Sequence, residues 1–187
     1  MNYIYVVIIV FAFLVHQFGK DYYTQRLQKN KCNPKVFDLG HKYLPDLSDN
    51  QILPILLNIV PFIPLIVGVT FTQEYFSFFI VILLIRVVFN IVTILPKHKT
   101  CDDSYNWSNV IFGHCYDKIF SGHMASSTLL SLLLYKNNIF TNIPVHITLN
   151  ILNGLLLLIL RWHYTIDLFV AIVVTLLVYQ NNIQIVF

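Results

Sequence analysis

The chain has 187 residues, of which 57% are hydrophobic and only 11% are charged, with a net charge of +3. An ordinary soluble domain carries about 25% charged residues, so the composition excludes that class. Together with a mean hydropathy of +0.68, it predicts an integral membrane protein.

Six apolar runs follow one another along the chain, and several approach the roughly 20 residues that span the hydrocarbon core of a bilayer. They occur at about Tyr3–Phe18, Ile52–Phe71, Tyr75–Leu95, Met124–Tyr135, Ile143–Leu160 and Ile166–Tyr179. The fourth and sixth are short and need flanking residues to cross. The pattern predicts an all-α fold, a polytopic membrane protein with six transmembrane helices in one bundle, and residues 1–187 as a single membrane domain.

The first run and the polar segment after it help to define the topology. No Lys or Arg precedes the first run and no small-residue cleavage site follows it, so we expect an uncleaved helix. The segment Gly19–Asp49 is interpreted as a solvated loop at the membrane surface. With six spans, segments 19–49, 97–120 and 161–165 share one face, which carries ten of the twelve Lys and Arg residues. The positive-inside rule makes that face cytoplasmic.

Two polar motifs flank apolar runs on that face and supply the predicted catalytic residues. Ser121-Gly122-His123 opens the fourth run, and His163 stands four residues before Asp167 at the start of the sixth. On a helix that spacing stacks the two side chains on one face. Asp167 would then fix the tautomer of His163, whose other nitrogen attacks an electrophile. His123, at a helix start that favours anions, would be protonated and give its proton to a leaving alkoxide. The set indicates chemistry on a lipid phosphate.

Two arginines are predicted to bind that phosphate. Arg86 lies inside the third run, where it either binds the phosphate or snorkels and pairs with Asn90. Arg161 follows the fifth run, close to the histidine motif, and is the second candidate.

The remaining predicted substrate-binding residues lie at helix starts. Ser121 and Gly122 offer a helix N-terminus to the phosphate. Asp46 either orients a headgroup or caps the helix that follows, although capping is expected more of Asp49.

One loop contains two cysteines and two histidines, namely Cys101, Cys115, His98 and His114. Their spacing matches no strong zinc pattern, so no metal site is predicted. A disulfide between the cysteines is expected only if the loop is lumenal.

Four short motifs, in sequence order, resemble those of the sphingomyelin synthase family. Residues 115–123 are similar to its Cys-Gly-Asp-x-x-x-Ser-Gly-His motif, and residues 163–167, with Ala171 and Thr175 beyond, resemble its His-Tyr-Thr-x-Asp motif. Two weaker matches are residues 44–46, similar to the end of Pro-Pro-Leu-Pro-Asp, and residues 86–96, similar to an arginine motif that ends in Leu-Pro. The resemblance covers residues 44–179, the expected catalytic core.

This resemblance implies the wider superfamily of type 2 phosphatidic acid phosphatases, with a six-helix core, and a two-step exchange that uses no metal or cofactor. His163 attacks the phosphorus of phosphatidylcholine while His123 protonates the departing diacylglycerol. His123 then takes a proton from the hydroxyl of ceramide, which collects phosphocholine from His163. The family's active site faces the lumen or the exterior, opposite to the charge count. The expected location is the Golgi, the endoplasmic reticulum or the plasma membrane.

Departures from the family motifs leave the donor and the acceptor open, because Tyr116 replaces a glycine and Met124 replaces a threonine. The alternatives are exchange between phosphatidylcholine and diacylglycerol, a lipid phosphatase or phospholipase-C-like hydrolase, and a non-catalytic membrane scaffold. The phosphatase motif Lys-x6-Arg-Pro is absent from the sequence. The expected partners are phosphatidylcholine, ceramide and diacylglycerol, and no nucleic acid. The sequence predicts no oligomeric state.

Overall fold

The computed structural model describes residues 36–59, 69–93, 95 and 119–184. Over these residues the fold contains helices and no strand, in agreement with the predicted all-α class. The helices are α1 (Leu39–Tyr43), α2 (Leu53–Ile59), α3 (Val69–Val92), α4 (Gly122–Lys136), α5 (Ile143–Ile159) and α6 (Thr165–Gln180).

Helices α4, α5 and α6 coincide with the last three predicted apolar runs to within two residues at each end. The predicted boundary between the second and third runs is wrong, because α3 begins six residues before the third run and includes residues 69–71 of the second. Helix α2 forms the first part of the second run, and the first run lies outside the described residues. None of the helices in the described segments is both long enough and apolar enough to cross a membrane. The six-span arrangement stays a prediction.

Helix α1 was not predicted, because it lies inside the segment interpreted as a loop. It begins where the Asp38 carboxylate accepts a hydrogen bond from the amide of His41 at 2.8 Å, a standard N-terminal cap. It ends at Leu44, whose backbone is extended. This short helix and its cap hold residues that contact the candidate active site.

The predicted cap of α2 is wrong by one residue. The Oδ1 atom of Asn50, and not the side chain of Asp49, accepts hydrogen bonds from the amides of Ile52 and Leu53, both at 2.9 Å. Asp46 does not cap the helix either, since its Oδ1 accepts from the amide of Ser48 within its own turn at 3.1 Å.

Helix α4 is central to the packing of the described helices and contacts α3, α5 and α6. It can do so because small residues face its neighbours: Ala125 and Ser126 are fully buried. The connections from α4 to α5 and from α5 to α6 are only a few residues long, so consecutive helices run antiparallel. The first turns of α4 and α6 therefore lie at the same end of the bundle.

A buried hydrogen bond joins α3 to α4, between the hydroxyls of Tyr75 and Ser126 at 2.6 Å. We expect Tyr75→Phe to lower the free energy of unfolding by about 1–3 kcal/mol, because it removes the partner of a buried polar group. Denaturation of the purified protein in detergent measures this change. Combining Tyr75→Phe with Ser126→Ala should recover most of the loss, since no buried hydroxyl is then left without its partner. A double variant less stable than Tyr75→Phe would contradict this account.

Candidate active site

His163 and Asp167 meet at the turn that leads into α6. His163 lies two residues before the helix and is 6% exposed, whereas Asp167 is its third residue and is fully buried. The Nδ1 atom of His163 is 3.6 Å from Oδ2 of Asp167. The prediction that both side chains stack on one helix is wrong for His163, because the chain enters the helix only at Thr165.

A capping interaction produces this approach. Oδ2 of Asp167 accepts a hydrogen bond at 2.7 Å from the amide of Tyr164, the N-cap residue of α6. The same oxygen faces Nδ1 of His163. A carboxylate at that nitrogen favours the tautomer protonated there, which leaves Nε2 as the basic nitrogen. Such contacts are often long without substrate and tighten in the reacting complex.

His123 is the second residue of α4 and is also 6% exposed. The hydroxyl of Ser121 caps the helix by accepting from the amide of Met124 at 3.2 Å. The His123 ring lies 5.5 Å from the ring of Trp162, the residue before His163. The structure therefore brings the two histidines to one site, where a positive charge on one imidazole would disfavour a positive charge on the other.

The guanidinium of Arg86 comes from α3 and lies against the start of α4. A Cβ atom at Gly122 would be only 3.1 Å from Nη1 of Arg86, so the glycine makes room for the guanidinium. Arg86 also interacts electrostatically with His123. This position fits the phosphate-binding alternative, whereas the side chain of Asn90, the other predicted partner, lies outside the described residues.

Arg161 and Asp46, predicted as separate substrate ligands, contact each other. Nε of Arg161 is 3.6 Å from Oδ2 of Asp46, and Nη2 donates to the carbonyl of Leu44 at 2.9 Å. Arg161 is buried and has a φ of 59°, in the left-handed region. The sequence did not predict this pairing, because the two residues are more than a hundred positions apart.

The sequence did not predict the contacts that Asp38 and His41 make at the start of α6. The Asp38 carboxylate accepts from the amide of Thr165 at 2.7 Å and from its hydroxyl at 3.1 Å. His41 donates through Nε2 to the carbonyl of His163 at 2.9 Å. The only signal in the sequence was Asp38 itself, a residue type that caps helices.

The electrostatics of Asp38 fit this role. Partial burial raises the pKa of its carboxyl, but the hydrogen bonds from His41 and Thr165 outweigh that effect and hold the pKa below its usual value of 3.8. The carboxylate is therefore ionised, and an acceptor, at neutral pH.

In the described segments 36–59, 69–93 and 119–184, no three His, Cys, Asp or Glu side chains are arranged so that they could hold a metal ion. The four loop residues considered for zinc or a disulfide (Cys101, Cys115, His98 and His114) lie outside those segments.

Part of the chain is similar to a known protein family. Residues 114–183 match the family model described as PAP2 superfamily C-terminal. The matched segment contains α4 to α6 and both histidines of the site. The match supports a relation to the type 2 phosphatidic acid phosphatase superfamily, and so an enzyme of the lipid phosphatase or phosphotransferase kind, but it does not single out the sphingomyelin synthases. A search of curated protein sequences finds no match to the chain.

The contact between Gly122 and Arg86 can be tested with alanine. We expect Gly122→Ala to lower kcat/KM by about tenfold, the effect of 1.36 kcal/mol on a barrier, because the new methyl group displaces the guanidinium. The free energy of unfolding of the variant should not fall, since alanine is a better helix former than glycine. Steady-state kinetics and detergent denaturation measure the two effects.

Gly154→Ala is the matched control, because its Cβ would make only ordinary contacts, at 3.5 Å with Leu168 and 3.7 Å with Met124. It should change kcat/KM much less. Equal losses in the two variants would show that the guanidinium contact is not what matters.

Proposed function

We propose that this protein is a phosphocholine transferase that moves the headgroup of phosphatidylcholine to ceramide through a phosphohistidine on His163. The observation that carries the proposal is the meeting of His163, Asp167, His123 and Arg86 at one buried site. These groups supply a nucleophile, the residue that orients it, a proton donor and a cation for the phosphate.

In the first step, Nε2 of His163 attacks phosphorus and the bond from phosphorus to the diacylglycerol oxygen breaks. Asp167 stabilises the positive charge that develops on the imidazole of His163. His123 gives its proton to the departing alkoxide. A protonated His123 beside Arg86 requires an anion between them, and the phosphodiester of the lipid supplies it.

In the second step, the primary hydroxyl of ceramide attacks the phosphohistidine. His123, now neutral, takes the hydroxyl proton while the bond from phosphorus to His163 breaks. Sphingomyelin leaves, and both histidines return to their starting protonation states. Dividing the transfer in this way replaces one difficult displacement by two easier ones.

An apolar groove supports a substrate with a long aliphatic chain. It lies between α4, α5 and α6, has a volume of about 630 Å³, and its lining runs from Met124 near the histidines to Tyr135 at the far end of α4. That volume is typical of ligand sites. Eleven helical residues rise about 16 Å, roughly half of a 30 Å hydrocarbon core, which is the depth that one acyl chain occupies.

The proposed function places the protein in a membrane. The apolar composition and the membrane association that is general in the superfamily support a multi-pass protein of the Golgi, the endoplasmic reticulum or the plasma membrane. By analogy with the sphingomyelin synthases, the active site faces the lumen or the exterior.

A hydrolase is the second candidate, because the superfamily match fits phosphatase as well as phosphotransferase activity. Water would then replace ceramide in the second step. The absence of the Lys-x6-Arg-Pro motif from the sequence weighs against the phosphatase form. Exchange between phosphatidylcholine and diacylglycerol would use the same two steps with a different acceptor.

The acceptor can be identified in cells that lack sphingomyelin synthesis. Cells expressing the protein, or its His163→Ala variant, receive fluorescent ceramide and fluorescent diacylglycerol in parallel, and mass spectrometry identifies the products. We expect labelled sphingomyelin with the unaltered protein only. Labelled phosphatidylcholine instead would favour the exchange reaction, and released phosphocholine without a labelled lipid would favour a hydrolase.

The roles of the catalytic residues predict different losses. His163→Ala should abolish transfer and the covalent intermediate together. Asp167→Asn should slow attack by about 10⁴-fold, as in comparable triads, because the tautomer of His163 is no longer fixed. His123→Ala should block release of diacylglycerol but tolerate a nitrophenol leaving group, which needs no proton. Stopped-flow kinetics and intact-protein mass spectrometry measure these effects, and near-normal transfer by His163→Ala would refute the phosphohistidine mechanism.

The groove can be tested by filling it near the histidines. Gly154 lines it and is buried, so Gly154→Leu should lower kcat/KM for long-chain lipids by about tenfold or more and affect short-chain analogues less. Gly154→Ala and Val173→Leu serve as comparisons, because the first adds little volume and the second changes an exposed residue of α6 that is not among the residues lining the groove. Equal losses for long and short chains would indicate that the groove holds no acyl chain.

A further inference from the structure

We propose that residues 38–47, here called the strap, position His163 for attack, and that Asp38 and His41 are the positioning residues within it. This inference rests on the proposed function, in which His163 is the nucleophile. Neither residue is expected to touch substrate, since their described contacts are with the turn that carries His163.

His41 holds the backbone of His163 directly. Its Nε2 donates to the His163 carbonyl at 2.9 Å, and its ring lies 4.9 Å from the ring of Tyr164. Because the acceptor is a carbonyl, Nε2 of His41 must carry a proton. The hydrogen bond and the ring contact can be removed separately by substitution of His41.

Asp38 holds the other side of Tyr164. Its carboxylate accepts from both the amide and the hydroxyl of Thr165, the first residue of α6, while the Thr165 hydroxyl accepts from the amide of Gly40 at 3.0 Å. The same carboxylate caps α1 through the amide of His41. One ionised group thus links the first turn of α1 to the first turn of α6.

The far end of the strap holds the beginning of the turn. The amide of Leu47 donates to the carbonyl of Ile159 at 2.8 Å, and Arg161 contacts Leu44 and Asp46 as described above. Arg161 has a backbone conformation that L-residues rarely adopt. The strap therefore contacts the turn at residues 159, 161, 163, 164 and 165, which include both of its ends.

Fixing this backbone matters because the His163 ring must face Asp167 through Nδ1 and phosphorus through Nε2 at the same time. A misplacement of about 1 Å can cost about 10²-fold in rate. Loss of a strap contact should therefore lower kcat, which depends on alignment, more than it raises KM.

Two substitutions of His41 separate the hydrogen bond from the ring contact. His41→Phe keeps a ring against Tyr164 but removes the donor, whereas His41→Gln keeps an N–H donor and removes the ring. We expect kcat to fall about 10- to 100-fold in His41→Phe, with KM within about twofold, and His41→Gln to recover most of the loss. The control is Lys136→Met, which removes the ion pair with Glu74 at the other end of the bundle and should leave kcat unchanged.

Several outcomes would overturn the proposal. These are an unchanged kcat in His41→Phe, an equal loss of kcat in His41→Gln, or an effect that is confined to a raised KM.

Asp38→Asn is the second variant, because its amide cannot accept all the hydrogen bonds that the carboxylate accepts. Hydrogen exchange at the Thr165 amide should accelerate about tenfold or more in Asp38→Asn, the effect of 1.36 kcal/mol or more on local opening, and stay unchanged in Lys136→Met.

The exchange measurement separates the two proposals. If the unaltered protein transfers no phosphocholine, the proposed function fails, while accelerated exchange at Thr165 still supports the strap. If transfer is normal and exchange in Asp38→Asn is unchanged, the strap is wrong and the proposed function stands.

Discussion

The hydrogen bond from the Tyr164 amide to the Asp167 carboxylate is the interaction on which the rest of the site depends. It caps the start of α6, and it also places the buried Asp167 carboxylate beside His163. His163 itself lies outside the helix, two residues before its first turn. A charge buried in this way is costly unless it is paired or hydrogen-bonded. Here the amide supports it, so helix capping and orientation of the imidazole are achieved by one group.

The sequence predicted α4, α5 and α6 well, because their apolar runs are bounded by polar residues that cap helices or close turns. It misplaced the start of α3, because the polar residues 72–74 interrupt the apolar pattern but not the helix. It also predicted the pairing of His163 with Asp167, although for the wrong reason. A spacing of four residues brings two side chains together within a helix. The same spacing also brings them together when the first residue precedes the helix and the second is the third residue of its first turn. Spacing alone does not distinguish these two geometries.

What could not be predicted depends on contacts between distant parts of the chain. Asp38 and His41 lie in a polar stretch that has the composition of a surface loop, and only the folded chain brings them to Thr165 and His163. The same limitation applies to Arg161, whose nearby acidic partner lies in another segment. Predictions from residue type and sequence spacing cannot detect such contacts. They therefore assigned Arg161 to substrate binding and Asp38 and His41 to a solvated loop.

The hydrogen bonds between the strap and the turn before α6 join residues separated by 112 to 127 positions. During synthesis the strap emerges more than a hundred residues before the turn that it holds. Contacts of such long range form late, because a large loop must close before they stabilise anything. His163 would therefore acquire its final orientation only after the strap and the turn have come together, and a chain in which they are still apart would carry the histidines without an ordered nucleophile.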